Sequence, residues 1–160
     1  MKKTLTGLLS VLILVLSACS GGESTAPAAY DPASTAQALL DSGAFTQELG
    51  ELAPDMAVPY LGLAEEPEEA VIYTSMEGGY EELAVLTFSD EAAAQTALEN
   101  VQTHVSAQVE TEADTQYKPE DLPKLNGART EQVGNSVLLV VAADYGKVQE
   151  ALDGLADADK

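Results

Sequence analysis

The chain holds a single cysteine, Cys19, and a single histidine, His104, among 27 acidic residues. Cys19 closes an apolar run from Leu8 to Leu16, after the small Ser17 and Ala18, and Lys2 and Lys3 stand ahead of that run. A lone nucleophilic sulfur in that place can carry acyl chains at a membrane surface. Each buried methylene adds about 0.8 kcal/mol of membrane affinity, and two chains hold far better than one. The positive start, apolar centre and small residues are the layout of an export segment. Its apolar centre falls short of the roughly 20 residues a permanent spanning helix needs. With no second cysteine, an intramolecular disulfide, a C-x-x-C redox motif and a thiolate zinc cluster are excluded.

The remaining candidates for chemistry are weaker. His104 lies one position from an apolar helical stripe at Val105, and no serine elbow, H-E-x-x-H or H-x-E pattern accompanies it. It reads as a surface or boundary residue, because catalysis or metal binding requires a partner group. Acids come in pairs at Glu65/Glu66, Glu68/Glu69, Glu81/Glu82, Asp90/Glu91 and Glu120/Asp121. Glycosidic chemistry needs one carboxyl in an apolar pocket with a raised pKa, whereas adjacent acids on loops are usually solvated. Glu110-Thr111-Glu112-Ala113-Asp114 alternates as calcium ligands do but has no turn glycine and no closing bidentate acid. Gly21-Gly22 and Gly78-Gly79 have no neighbouring base to hold a phosphate. These residues predict no catalytic site, no cofactor and no metal centre.

Leu16-Ser17-Ala18-Cys19 resembles the bacterial lipobox. The resemblance implies diacylglycerylation of the Cys19 thiol and cleavage between Ala18 and Cys19, so that Cys19 becomes the mature N-terminus. The competing reading is an ordinary export signal with a chance cysteine. The lipobox reading places the protein at the cell membrane, lipid-anchored on its extracytoplasmic face.

The formal charge is −20, from 7 basic and 27 acidic residues. Loss of Lys2 and Lys3 with the signal leaves 5 basic residues against the same 27 acids, a formal charge of −22. Such a surface repels nucleic acid and anionic headgroups. Solubility is the plain consequence; a docking face for a basic protein partner or for divalent cations is the sharper one.

The elements that would position these groups follow from periodicity and breakers. Residues 1–18 are the signal, 19–29 the lipidated cysteine and a flexible tether, 30–156 a single acidic α/β domain, and 157–160 a frayed tail. The tether lifts the domain roughly 15–20 Å off the bilayer. Asp31-Pro32 caps a first helix with Ala36, Leu39 and Leu40 on one face and Gly43 at its stop. A second short helix is expected over Thr46–Leu52 and a third turn or helix over Pro54–Leu63. Strands follow at Ala70–Met76 and Leu83–Phe88, then a helix from Asp90 to about Glu112 with Ala94, Leu98, Val101, Val105 and Val109 in one stripe. Tyr117–Leu125 is a loop braced by Pro119 and Pro123, either a recognition surface or, preferably, a crossover. Strands at Ala128–Val133 and Val137–Ala142 flank a Gly134-Asn135 turn, and a last helix starts at Asp144.

An offset of 54 residues places Glu81–Val101 over Asn135–Leu155 without a gap. The chain therefore reads as an α+β fold: N-terminal helices, then two β-β-α units. These form a four-stranded, mainly antiparallel sheet with the two unit helices on one face. The two second strands are apolar on both faces, so the helices within 32–63 must cover the other side; a homodimer through that face is the less favoured alternative.

Tyr30-Asp31-Pro32 with Ala36 and Leu39, Phe45 and Leu49, Tyr117-x-Pro119 and Pro123-Lys124-Leu125 carry a second resemblance. It continues through Gly134-Asn135-x-Val137-x-Leu139-Val140-Val141-Ala142-x-Asp144-Tyr145. Together these residues resemble a family of short Gram-positive lipoproteins known only as a domain of unknown function, over about residues 30–152. The resemblance implies a lipid-anchored extracytoplasmic α/β domain and brings no catalytic residues with it. The expected role is a non-enzymatic binding or protein-interaction module. A solute-binding accessory of a transporter is the alternative, and an envelope enzyme, requiring a buried acid beside His104 or in a cleft, stands third.

Overall fold

The computed structural model describes residues 29–158; the expected signal, Ala18, Cys19 and nearly all of the tether lie outside the described residues. The first element is α1 (Pro32–Asp41). The Asp31 carboxylate accepts the Ser34 N–H at 2.8 Å, and Pro32 occupies the first helical position, where its missing N–H costs nothing. Gly43 takes φ +71° just past the end, as the expected stop requires.

The next segment departs from expectation. Leu49–Leu52 is a strand, β1, and not the end of a helix over Thr46–Leu52. It pairs antiparallel with β2 (Glu69–Ser75). Gly50 weakens a helix there, and a β-carbon at Gly50 would stand 2.3 Å from the Met76 sulfur, so the strand lies closer than a larger residue allows. The pairing satisfies the backbone of β2 along its outer side, which local helix propensity cannot do. The sheet therefore has five strands, not four, in the order β1-β2-β3-β5-β4, with every neighbouring pair antiparallel. β3 is Glu82–Thr87, β4 Arg129–Val133 and β5 Ser136–Val141. Gly134, at φ +57°, opens the two-residue loop between β4 and β5.

β3 and β5 lie at the centre, and five of six residues in β3 and all six in β5 are buried, so both faces of this pair need a cover. The helices α2 (Ala57–Leu61), α3 (Glu91–Thr115) and α4 (Leu122–Asn126) pack on Ala84, Leu86, Val137, Leu139 and Val141. On the opposite face α1 and α5 (Tyr145–Ala158) pack on Leu83, Val85, Leu138 and Val140. The two unit helices, α3 and α5, are thus on opposite faces, which corrects the expectation that they share one. The cause is the register. Each β3–β5 pair joins an odd residue to an even one, as in Ala84↔Leu139 and Val85↔Leu138. The 54-residue offset preserves parity, so equivalent residues such as Ala84 and Leu138 fall on opposite sides. Because side chains alternate along a strand, a slip of one residue would have brought both helices to the same face.

Within each unit the repeat is close. β3 and β5 are displaced by the same 54 residues, and so are the helix caps. The Asp90 carboxylate accepts the N–H groups of Ala92 and Ala93 at 2.9 Å, and Asp144 accepts those of Gly146 and Lys147 at 3.0 and 3.2 Å. Two substitutions separate the contributions of cap and core. Asp90→Ala should cost about 1 kcal/mol, whereas Leu139→Ala should cost about 2–5 kcal/mol. Urea unfolding of both variants measures the difference, and equal costs would contradict a core centred on β3 and β5.

Candidate functional site

Among the described residues, three places stand out for polar groups held in burial or beside a concave surface. The first is a buried ionic cluster at one end of the sheet. Glu81 immediately precedes β3, and both Glu81 and Asp121 are 0 % exposed. The Lys124 ammonium lies 2.7 Å from each of them, on the helical turn after Asp121. Glu81 also accepts the Thr46 and Gln47 N–H groups at 2.8 and 3.0 Å and the Thr46 hydroxyl at 2.7 Å. Asp121 accepts the Gln47 amide at 2.8 Å and the Tyr80 N–H at 3.1 Å. Gly79 leaves room for this: a β-carbon there would lie 2.2 Å from Gln47 Oε1. Burial raises the carboxyl pKa values of Glu81 and Asp121, but Lys124 and the other donors outweigh it, and both titrate below their usual range. Burial lowers the Lys124 pKa, but hydrogen bonds and charge from Asp121 and Glu81 outweigh it, leaving it above its usual value. A catalytic lysine has its pKa depressed so that it is a free amine. Lys124 is instead a held cation that joins the Thr46–Gln47 segment, β3 and α4.

The second place is around His104. No partner for it is evident from the residue pattern, yet its Nε2 lies 3.2 Å from the carboxylate of Glu82, whose side chain is 2 % exposed. Tyr60 donates its hydroxyl to Glu82 at 2.7 Å and stacks its ring, tilted 55°, 5.1 Å from the imidazole. Burial, followed by the charge of Glu82, raises the Tyr60 pKa, which keeps the phenol a donor. Gln108 approaches the same Nε2 at 3.0 Å. With Nε2 protonated toward Glu82, the amide oxygen of Gln108 is the end that fits there. The imidazole borders a small open hollow of about 230 Å³ with Pro59, Asn100, Thr103 and Ala107. Tyr60 and Thr103 bring hydroxyls to this hollow, and both are engaged: the first donates to Glu82 and the second to the Glu99 carbonyl at 2.9 Å. The arrangement can orient an imidazole and hold a proton; no activated nucleophile stands beside it.

The third place is a groove of about 520 Å³ at the opposite end of the sheet. Pro32 and Ala33 of α1 form one wall, Pro54 and Val58 the other, and Ala70 and Val71 of β2 the floor. Asp55, Glu66, Glu68 and Glu69 stand around it, and no lysine, arginine or histidine lines it. Its size is that of a ligand pocket, with rigid proline-rich walls and an acidic margin.

The acid pairs thus separate. Glu65/Glu66 and Glu68/Glu69 are exposed, as expected, while Glu81, Glu82 and Asp121 are buried and partnered. A warning was present in the sequence: Glu81-Glu82 opens a strand apolar on both faces, so consecutive side chains cannot both reach water. Asp121 and Lys124, three apart, also carried an ion-pair spacing. Glu110–Asp114 lies on α3, where alternate residues point away from one another and cannot close on a cation. Glu112 from that run is buried and accepts the Lys118 N–H at 2.9 Å. Tyr117–Leu125, expected as a loop, is the crossover between α3 and β4, but it folds into a helical turn at Pro119–Asp121 and the start of α4; Tyr117 is exposed. Among the described residues no group of three or more histidine, cysteine or acidic side chains is arranged to hold a metal ion.

Lys124→Met leaves two buried carboxylates without their cation and should cost about 3–5 kcal/mol near neutral pH. The depressed carboxyls contribute stability that is present above about pH 4 and lost as pH falls through their folded pKa values; the raised lysine contributes below about pH 10 and loses its share above. The gap between wild type and variant should therefore narrow below about pH 4. Denaturant midpoints across that range check it; a gap independent of pH would show that the cluster is not ionic.

Neither a curated protein nor a solved structure matches the chain. Residues 50–142 match the family described as a domain of unknown function (DUF4358). The matched segment runs from within β1 through the end of β5 and includes Glu81, Glu82, His104, Asp121 and Lys124. As it spans more than half of the 160 residues, the chain belongs to the DUF4358 family.

Proposed function

We propose that the chain is a lipoprotein of a Gram-positive envelope, anchored through Cys19, that works as a non-enzymatic interaction module for a basic protein partner. The observation that carries this reading is the fate of the cations. The four basic side chains in the described residues all donate within the molecule. Lys118 reaches the Glu77 carbonyl at 2.8 Å, Lys124 holds Glu81 and Asp121, Arg129 holds Glu131 and Gln149, and Lys147 reaches the Gly43 carbonyl at 3.1 Å. The surface therefore faces a partner with uncompensated carboxylates, which steer basic surfaces and repel acidic ones. No described helix is long and apolar enough to cross a membrane, so attachment in this reading falls to the lipid on Cys19.

The Glu82–His104 pair supports a second reading, an envelope enzyme using the imidazole as a base. It would need a substrate that brings its own nucleophile or proton to the hollow beside His104.

Labelled fatty acid should enter the wild type and not Cys19→Ala; label in the variant would contradict the lipid anchor. Crosslinking in intact envelopes should then recover a partner with a basic surface, in a yield that falls as salt rises. A partner that is acidic, or held equally at low and high salt, would contradict an electrostatic interaction module.

A further inference from the structure

The sheet stops short of its own edge at the floor of the groove. β1 pairs with β2 from Leu49↔Ser75 to Leu52↔Ile72 and ends, while β2 continues to Glu69 in its pairing with β3. The alternation of the ladder decides which groups face the gap. Met76 donates its N–H to the Glu48 carbonyl on the β1 side, and Ser75 donates its N–H to the Glu81 carbonyl on the β3 side. Even-numbered residues of β2 thus aim their N–H and C=O toward β1 and odd-numbered ones toward β3. Ala70 is even, so both its backbone groups point to where β1 would continue. The extended register would place Pro54 opposite it. Proline has no N–H to give, and the chain turns away there into the Pro54–Met56 turn.

We propose that this gap is a strand-addition slot. An extended, basic segment of a partner protein lies beside Glu69–Val71, exchanges backbone hydrogen bonds with Ala70 and sets lysine or arginine side chains against the rim carboxylates. The proposal rests on the interaction-module reading and names the mode of contact. Strand addition draws affinity from main-chain bonds and specificity from alternate side chains. The slot offers both kinds of contact: unpaired strand backbone lies between the α1 and α2 layers, and apolar side chains of both layers share the groove with the rim carboxylates. Three residues of strand span about 10 Å, so the segment is short. A second copy of the same acidic chain is repelled by the rim. The slot also lies where the tether arrives. Glu69 pairs with Thr87 and Thr87 with Ser136, whose hydroxyl accepts the Tyr30 N–H at 2.8 Å. A segment seated there is met on the side of the domain from which the chain leads back to Cys19.

The test uses the full chain in neutral detergent and three end-blocked hexapeptides followed by fluorescence anisotropy. One alternates lysine with valine, one alternates glutamate with valine, and one is the lysine–valine peptide with N-methyl groups on alternate backbone nitrogens. The lysine–valine peptide should bind, more weakly as salt rises, and the glutamate–valine peptide should not. Ala70→Pro removes the groove-facing N–H without touching the β3 ladder and should weaken binding about tenfold. Glu66→Gln and Glu68→Gln should each weaken it about threefold. N-methylation on the strand edge that faces Ala70 should have an effect like that of Ala70→Pro, and it tests the backbone bonds in the unaltered protein should that variant fail to fold. Binding indifferent to both N-methylation and Ala70→Pro overturns the slot and leaves the basic-partner reading standing. No lysine–valine binding, with a basic partner still captured in envelopes, also overturns the slot alone; failure of both overturns the wider reading.

Discussion

Two adjacent strands, β3 and β5, are apolar on both faces, and the rest of the chain is arranged around keeping water from both. A single helical layer cannot do that. With α3 and α5 thrown to opposite sides by an odd-to-even register, each side has one long helix and shorter ones complete the cover, α2 and α4 on one side and α1 on the other. The sandwich that results is closed over its faces and open at its margins. The polar chemistry of the molecule therefore collects at the strand ends, with the ionic cluster and the Glu82–His104 pair at one end and the acid-rimmed groove at the other.

The two ends differ in what they leave unsatisfied. At the first, each buried charge has found a partner: Lys124 for Glu81 and Asp121, Tyr60 and His104 for Glu82. Buried carboxylates engaged in this way hold loops together. At the second end the acids are solvated, and β1 stops before β2 does. Exposed strand edges are usually covered or blunted because they recruit other chains. Here the edge is recessed between two helical layers and bordered by Asp55, Glu66, Glu68 and Glu69, the setting on which the proposed extended, basic occupant rests.

Much of the fold could be read from the residues because it rests on local signals. Asp31-Pro32, Asp90 and Asp144 start helices as their side chains predict, Gly43 stops α1, and Gly134-Asn135 joins β4 to β5. The 54-residue repeat marks the two units from residue types alone. What escaped depends on contacts distant in sequence. Glu48-Leu49-Gly50-Glu51-Leu52 is locally ambiguous, and only the unpaired side of β2 makes it a strand. The faces taken by α3 and α5 follow from a pairing register that neither strand contains alone. The site was less legible still. His104 and Glu82 are 22 residues apart and meet only because α3 lies back over the start of β3. The backbone of Ala70 carries no side-chain signal, and the nearest clue was Pro54, which ends the strand that would have covered it.

The central claim is that the groove at Ala70 is the recognition surface. It is tested most directly by titrating the isotopically labelled full chain with the lysine–valine peptide and following backbone amide shifts by NMR. The account predicts a contiguous set of perturbed amides centred on Ala70 and Val71, extending to Val58 and Ala33, with little change at His104 or Lys124. Shifts spread evenly over the acidic surface, or gathered around His104 with Ala70 unmoved, would contradict it.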